Sequence, residues 1–115
     1  MKTIPYGSQW IDDEDIKAVV EVLKEDWITQ GPTITQFEET LAKYVGSRYA
    51  VAFNSGTSAL HGAMFVAGVS TGDEVITSPI TFLATANSFV YLGGIPVFVD
   101  IDPTTVCIDP QRIED

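Results

Sequence analysis

Short apolar runs alternate with helix-like segments over the second half of the chain, and this alternation limits the fold more than any other feature. Strand-like runs lie at 49–53 and 95–101, and residues 72–77 indicate a turn and then a strand. Helical patterns lie at 57–68 and at 81–94, where the helix is predicted to end in glycines. The order strand, helix, strand, helix, strand is typical of an α/β layer with a mainly parallel sheet. The run YAVAF at 49–53 is continuously apolar, which indicates a strand covered on both faces.

Two further helical patterns precede this layer. Residues 12–25 combine apolar residues at three- and four-residue spacing with acidic residues in the first turn, where the helix dipole favours them. Residues 26–34 are predicted to form a loop, because Gly31 and the proline after it interrupt regular structure. Residues 35–45 then predict a second helix, and the glycine that follows is well placed to end it.

The charge balance is strongly acidic, with 6 Lys and Arg against 16 Asp and Glu and a net charge of −10. Binding to nucleic acid needs clustered basic residues, so nucleic acid is excluded as a partner. No apolar run approaches the roughly 20 residues of a membrane helix, and the start does not resemble a signal peptide. The lone cysteine, Cys107, cannot form an internal disulfide. We therefore expect a cytoplasmic protein with no membrane partner.

The stretch NSGTS at 54–58 joins the first predicted strand to a helix through small residues. The first N–H groups of a helix have no partner within the helix, and together with the helix dipole they suit a phosphate group. Gly56 allows close approach to the backbone, and the hydroxyls of Thr57 and Ser58 can add hydrogen bonds. Ser and Thr are also ordinary helix-capping residues. The residues alone therefore leave two interpretations, a plain cap or a phosphate site.

The stretch SPITFLATAN at 78–87 follows the next predicted strand. It should lie at the same carboxyl edge of the sheet, where open α/β sheets bind ligands. Phe82 falls at the start of the following helix, where its ring can pack on a flat ligand. Packing in the core is the alternative interpretation of this side chain.

Taken together, three long stretches resemble the N-terminal part of the DegT/DnrJ/EryC1/StrS aminotransferases, sugar aminotransferases that use pyridoxal phosphate. The stretches are 4–24, 27–64 and 73–102, and they cover nearly all of the 115 residues in the family's order. The resemblance implies an α/β fold, namely an incomplete N-terminal part of the fold-type-I large domain, with a mainly parallel sheet and flanking helices. It also implies a helix and substrate-loop arm at 1–34 and the start of the α/β core at 35–115.

The resemblance implies roles for individual residues. Gly56, Thr57 and Ser58 would hold the phosphate of pyridoxal phosphate, and Phe82 would stack on its pyridine ring. The residues implied near the nucleotide-sugar substrate are Tyr6, Asp26, Trp27, Ile28, Thr29 and Gly56. Within the family, the chain resembles the transaminases of pseudaminic acid synthesis at Tyr6, at TQG (29–31) and at FNS-TSAL (53–60).

The same resemblance implies the reaction and its partners. The family transfers an amino group from glutamate or glutamine to the C4 keto group of a nucleotide-linked deoxysugar, and its members are homodimers. The family's Schiff-base lysine would lie beyond residue 115, so no catalytic residue is assigned here. We expect the chain to be the first part of a longer polypeptide and to be inactive alone. A sugar dehydratase of the same fold and a non-catalytic phosphate-binding fragment remain alternatives.

The remaining polar residues receive structural interpretations. His61 is expected to be a hydrogen-bonded structural histidine, with a substrate contact as the alternative. Asp100 and Asp102 are expected to cap a turn, although they could instead bind a metal or a sugar hydroxyl. No metal site is predicted. In the fold implied by the resemblance, the strand at 49–53 pairs with a late strand, so it should lack its usual partners here, and the chain alone should be marginally stable or self-associating.

Overall fold

The computed structural model describes residues 4–113 and divides the chain into two compact units, which meet in sequence between Ala52 and Phe53. Among the described residues, the first unit contains two helices, and the second contains two helices, a two-stranded sheet and one 3-10 turn. The elements are α1 (Asp13–Leu23), α2 (Pro32–Val45), α3 (Gly56–Val66), β1 (Glu74–Thr77), α4 (Ala84–Val90), β2 (Ile95–Phe98) and the 3-10 turn Pro110–Arg112.

Helix α1 begins where the acidic run predicts, because Asp12 and Asp15 cap each other. The Asp12 carboxylate accepts hydrogen bonds from the Glu14 and Asp15 amides at 3.0 and 3.1 Å. The Asp15 carboxylate accepts the Asp12 N–H in return at 3.1 Å. This reciprocal capping box satisfies amides that a helix start otherwise leaves unpaired.

Helix α2 begins earlier than predicted. Its first residue is Pro32, so the loop predicted to reach residue 34 ends three residues sooner. Proline suits the first helical position, since its fixed φ matches the helix and its missing N–H would have no partner there. The end agrees with the prediction: Gly46 takes a left-handed φ of 72°, and the Ser47 N–H closes the helix on the Ala42 carbonyl at 2.9 Å.

The strand predicted at 49–53 is wrong for the structure described. These residues form no strand, and the side chains of Tyr49, Val51 and Phe53 are 73, 70 and 49% exposed. The Ala52 N–H donates instead to the Glu38 carboxylate at 2.8 Å. A β-strand is defined by the hydrogen-bonded ladder to its neighbour. An apolar sequence predicts burial but does not supply that neighbour.

The parallel sheet of the second unit confirms the α/β prediction. Strands β1 and β2 pair in parallel from Glu74 opposite Ile95 to Thr77 opposite Phe98, with α4 as the crossover. Strand β1 follows a turn within 72–77, as predicted, whereas β2 is shorter than the predicted run at 95–101. The most deeply buried side chains are those of Ser88 and Phe89 on α4, so the small core of this unit lies under the crossover helix.

Helix α4 runs from Ala84 to Val90, shorter than its predicted range of 81–94, and the predicted glycine turn follows it and leads to β2. Leu92 and Gly94 both donate backbone hydrogen bonds to the Phe89 carbonyl at 3.0 Å. Gly93 has a φ of +87°, and a Cβ at this position would lie 2.9 Å from the Thr71 Cα. The turn therefore depends on a residue without a side chain.

Candidate functional site

A cavity of about 620 Å³ in the second unit brings together two stretches that the sequence singles out separately. One wall is the beginning of α3, and the other is the chain at the start of α4. Its lining residues are Gly56, Thr57, Ala59, Leu60, Ala63, Phe82 and Ala84. Both the volume and the mainly apolar lining are typical of sites for small organic ligands.

The start of α3 is capped and still offers free donors. Ser55 is the N-cap residue, and its hydroxyl accepts the Ser58 N–H at 3.1 Å and lies 3.0 Å from the Ser58 hydroxyl. Within residues 4–113, the amides of Gly56 and Thr57 donate to no acceptor. Two N–H groups thus remain at the positive end of the helix dipole, which is the arrangement that binds an anion. The two interpretations of this stretch, a cap and a phosphate site, are therefore compatible.

Gly56 lines the cavity and leaves open space beside its backbone. A Cβ built on this residue would meet no atom within 4 Å, and its φ lies outside the left-handed region. The local fold therefore does not require glycine at this position. Its absent side chain instead leaves room for a ligand to reach the backbone.

Phe82 lies two residues before α4, and 77% of its surface is exposed. The alternative of core packing is therefore wrong for the structure described. Its ring lines the cavity opposite the first turns of α3. An exposed aromatic ring beside unpaired helix amides can hold a flat ring that carries an anionic group.

The residues predicted to lie near the substrate belong to both units. Tyr6 and the loop at 26–29 belong to the first unit, where Tyr6, Trp27 and Ile28 are exposed, whereas Gly56 belongs to the second. The loop has a defined shape: Gln30 takes a φ of 55°, and a Cβ on Gly31 would collide with the Trp27 carbonyl oxygen. Gly31 therefore holds the loop in its turn.

Sequence reasoning missed the apolar part of the cavity. Ala59, Leu60 and Ala63 on α3 and Ala84 on α4 line it. Apolar side chains carry no chemical signal of their own. The available signal was helical spacing, because residues 56, 60 and 63 share one face of a helix.

His61 has the structural role that was predicted. Its Nδ1 atom lies 3.0 Å from the Ser88 carbonyl oxygen, and its ring packs edge-on against Tyr91 with 5.7 Å between the centroids. The ring thus connects α3 to α4.

Asp102 caps a turn, as predicted. Its carboxylate accepts the Thr104 and Thr105 amides at 2.6 and 3.1 Å. Asp100 also makes turn contacts, since it accepts the Ile101 N–H at 2.8 Å and lies 3.6 Å from the Arg112 guanidinium. Between residues 4 and 113, no group of three or more His, Cys, Asp or Glu residues is arranged to hold a metal ion.

The hydrogen bonds of this turn lead to a prediction about the pKa of Asp102. The hydrogen bond from the Thr104 amide, followed by that from Thr105, holds the pKa of Asp102 below its ordinary value of 3.8. A lowered pKa in the folded state means that the charged carboxylate stabilises the turn above the unfolded pKa, and that this contribution is lost as the pH falls through the folded pKa. We expect the carboxyl carbon of Asp102 to titrate by NMR with a midpoint below 3.8. A midpoint at or above that value would contradict the turn geometry.

None of the helices within residues 4–113 is both long enough and apolar enough to cross a bilayer.

The sequence from residue 9 to residue 115 matches the family model described as the DegT/DnrJ/EryC1/StrS aminotransferase family. The chain belongs to this family. The resemblance on which the fold prediction rests is thereby confirmed.

Two curated relatives and two solved structures agree with the family assignment. The chain is 47% identical to the spore coat polysaccharide biosynthesis protein SpsC of Bacillus subtilis, covering 96% of this chain and 28% of that protein. It is 41% identical to the UDP-4-amino-4-deoxy-L-arabinose–oxoglutarate aminotransferase of Shewanella sediminis, covering 96% of this chain and 29% of that protein.

Solved structures of sugar aminotransferases also resemble this chain closely. The PLP form of Spr1654 from Streptococcus pneumoniae, described as a sugar aminotransferase, superposes with a TM-score of 0.91 at 34% identity, covering 98% of this chain and 29% of that chain. Helicobacter pylori PseC, an aminotransferase of pseudaminic acid biosynthesis, superposes with a TM-score of 0.90 at 40% identity, covering 98% and 31%. The DegT-family chain thus spans about three tenths of the length of the proteins it matches.

Proposed function

We propose that this segment supplies the phosphate and ring contacts of the pyridoxal phosphate site in a nucleotide-sugar aminotransferase. One observation carries the proposal: two unpaired amides at the start of α3 and an exposed phenylalanine line the same cavity. Pyridoxal phosphate has an anionic phosphate on a flat aromatic ring, so it needs these two kinds of contact. The similar Spr1654 structure is a PLP form, which supports this ligand.

Different residues of the site bind different parts of the cofactor. The Gly56 and Thr57 amides and the Thr57 hydroxyl bind the phosphate, and the Ser58 hydroxyl adds a further contact while Ser55 fixes its position. Phe82 holds the plane of the ring and shields one side of it from water. When bound, pyridoxal phosphate supplies the electron sink and the carrier for the amino group.

The proposed reaction transfers an amino group from glutamate or glutamine to the C4 keto group of a nucleotide-linked deoxysugar. The Shewanella relative is named for a 4-amino sugar nucleotide and for oxoglutarate, the keto acid that glutamate becomes on giving up its amino group. The likeness to PseC supports a sugar of the pseudaminic acid type. In this proposal, Tyr6, the loop at 26–29 and Gly56 contact the sugar nucleotide.

The proposal also covers the complete protein and the place of this segment in it. The lysine that binds the cofactor covalently lies beyond residue 115, and the complete protein is a cytoplasmic homodimer. Residues 1–34 form the substrate arm, and residues 35–115 begin the large domain. Spr1654, PseC and the Shewanella relative are all described as aminotransferases, which favours this reaction over the dehydratase alternative.

The proposal is tested by following nitrogen in the natural full-length protein. The protein is loaded with pyridoxal phosphate and incubated with glutamate or glutamine labelled with 15N at the α-amino group, and with a UDP-linked 4-keto-deoxysugar. We expect mass spectrometry to find one 15N atom in the sugar nucleotide and oxoglutarate or its amide as the co-product. Loss of water from the sugar without gain of nitrogen would instead establish a dehydratase.

Replacing Phe82 by Leu should weaken the binding of pyridoxal phosphate by up to about tenfold, since an aromatic stacking contact is worth about 0.5–1.5 kcal/mol beyond the area it buries. The melting temperature should change little, because the ring is largely exposed. Fluorescence titration with pyridoxal phosphate measures the affinity.

Phe82→Tyr is the matched control, since it keeps the ring, and its affinity should stay within about threefold of the unmodified protein. Equal affinities for the Leu and Tyr variants would exclude stacking on this side chain.

A further inference from the structure

His61 occupies a defined position between the two helices that form the cavity. A carbonyl oxygen only accepts hydrogen bonds, so the 3.0 Å contact means that Nδ1 of His61 carries a proton and donates it to Ser88. His61 comes from α3, and Ser88 comes from α4, 27 residues later in the chain. This hydrogen bond is therefore a direct polar link between the two helices.

The accepting carbonyl has no other donor within residues 4–113. In a continuing helix, the Leu92 N–H would reach Ser88, but here it donates to the Phe89 carbonyl at 3.0 Å. Ser88 is fully buried, and a buried carbonyl without a partner is costly. The histidine thus satisfies a carbonyl that the early end of α4 leaves unpaired.

The link lies one helical turn from the cavity wall. Ala84, which lines the cavity, and Ser88, which accepts the hydrogen bond, are four residues apart and share one face of α4. Leu60, the neighbour of His61, lines the cavity from α3. A shift of α4 along α3 would therefore move Ala84 and the preceding Phe82 relative to the amides of Gly56 and Thr57.

We propose that His61 is a positioning residue that holds α4, and with it Phe82, at the correct distance from the phosphate-binding end of α3. The proposal rests on the proposed function for its ligand, pyridoxal phosphate. His61 itself lies outside the lining of the cavity, so it acts through the Ser88 carbonyl. The Nδ1 hydrogen bond to Ser88 holds α4 in place, and the edge contact of the ring with Tyr91 contributes less to this positioning.

Two substitutions separate the donor from the ring. His61→Asn places an amide N–H close to the position of Nδ1 and removes the ring, whereas His61→Phe keeps a ring beside Tyr91 and removes the donor. Gly68→Ala is the control for stability alone. It strains the end of α3 at a φ of +85° without any contact within 4 Å, and it lies outside the cavity.

The experiment measures pyridoxal phosphate affinity and melting temperature for the natural full-length protein and the three variants. We expect His61→Phe to bind about tenfold more weakly, which is the lower end of the loss found when residues that orient metal ligands are replaced. We expect His61→Asn to bind within about threefold of the unmodified protein and Gly68→Ala to lower the melting temperature without loss of affinity. The ring signals of Phe82, followed by NMR without ligand, should shift in His61→Phe and stay in place in His61→Asn.

The outcomes of these measurements decide whether His61 positions α4. Equal affinity and unmoved Phe82 signals in His61→Phe would overturn the proposal, as would equal losses in the Phe and Asn variants or an affinity loss in Gly68→Ala that follows its melting temperature. If the unmodified protein binds no pyridoxal phosphate, the proposed function fails, and the Phe82 signals alone decide whether His61 positions α4.

Discussion

Replacing Gly56 by Asp should weaken the binding of pyridoxal phosphate by about 100-fold or more. The new carboxylate would stand beside the phosphate, and two like charges about 4 Å apart repel by about 1–4 kcal/mol between bulk water and a protein surface. It would also occupy the open space beside Gly56, where a Cβ meets no atom within 4 Å. The helix itself should not suffer, because acidic residues are favourable in the first turn.

Gly56→Asn is the matched control for this substitution, because it adds nearly the same volume without charge. Fluorescence titration with pyridoxal phosphate should find the Asp variant at least about tenfold weaker than the Asn variant. Circular dichroism should find the same helix content in both. Equal affinity for the two variants would contradict an anion site at the start of α3.

Replacing Gly93 by Ala should destabilise the second unit by about 3 kcal/mol. Part of the cost, about 1–2 kcal/mol, comes from placing an L residue in the left-handed region, since Gly93 has a φ of +87°. The remainder comes from the new Cβ, which would lie 2.9 Å from the Thr71 Cα, an atom that cannot move without shifting the backbone. Because this turn ends α4 and starts β2, the loss should extend to the sheet.

Gly68→Ala is the control for conformation without collision. Its φ of +85° is almost the same, but a Cβ there meets no atom within 4 Å. We expect a loss of about 1–2 kcal/mol, clearly smaller than that of Gly93→Ala, from urea unfolding followed by circular dichroism. Losses of the same size would mean that contact with Thr71 does not constrain the turn.

Local signals in the sequence predict local structure well. The capping pair Asp12 and Asp15 starts α1, Gly46 ends α2, and the alternation after residue 53 leads to a parallel βαβ unit. Each of these features is decided by residues within about one turn of one another, or by an apolar period repeated several times.

Features that depend on distant partners are predicted less well. The apolar run at 49–53 predicts a buried strand but cannot supply a neighbour, and the described residues form no ladder with it. The glycines that follow α4 predict the end of that helix, but they do not predict that a Cβ on Gly93 would collide with Thr71, 22 positions earlier in the chain.

The same difference applies to the candidate site. Gly56, Thr57 and Phe82 carry chemical signals that can be read from the sequence, and the structure brings them to one cavity. The alanines that complete its walls carry no such signal. The hydrogen bond from His61 to Ser88 joins residues 27 positions apart, so only the folded chain identifies the partner.

The central claim is that the unpaired amides at the start of α3 bind the phosphate of the cofactor. The most direct test is a crystal structure of the natural full-length protein grown with pyridoxal phosphate. We expect phosphate oxygens about 2.7–3.2 Å from the Gly56 and Thr57 amide nitrogens, with the pyridine ring against Phe82. A phosphate bound elsewhere, with these two amides hydrogen-bonded to water or to other parts of the protein, would contradict the account.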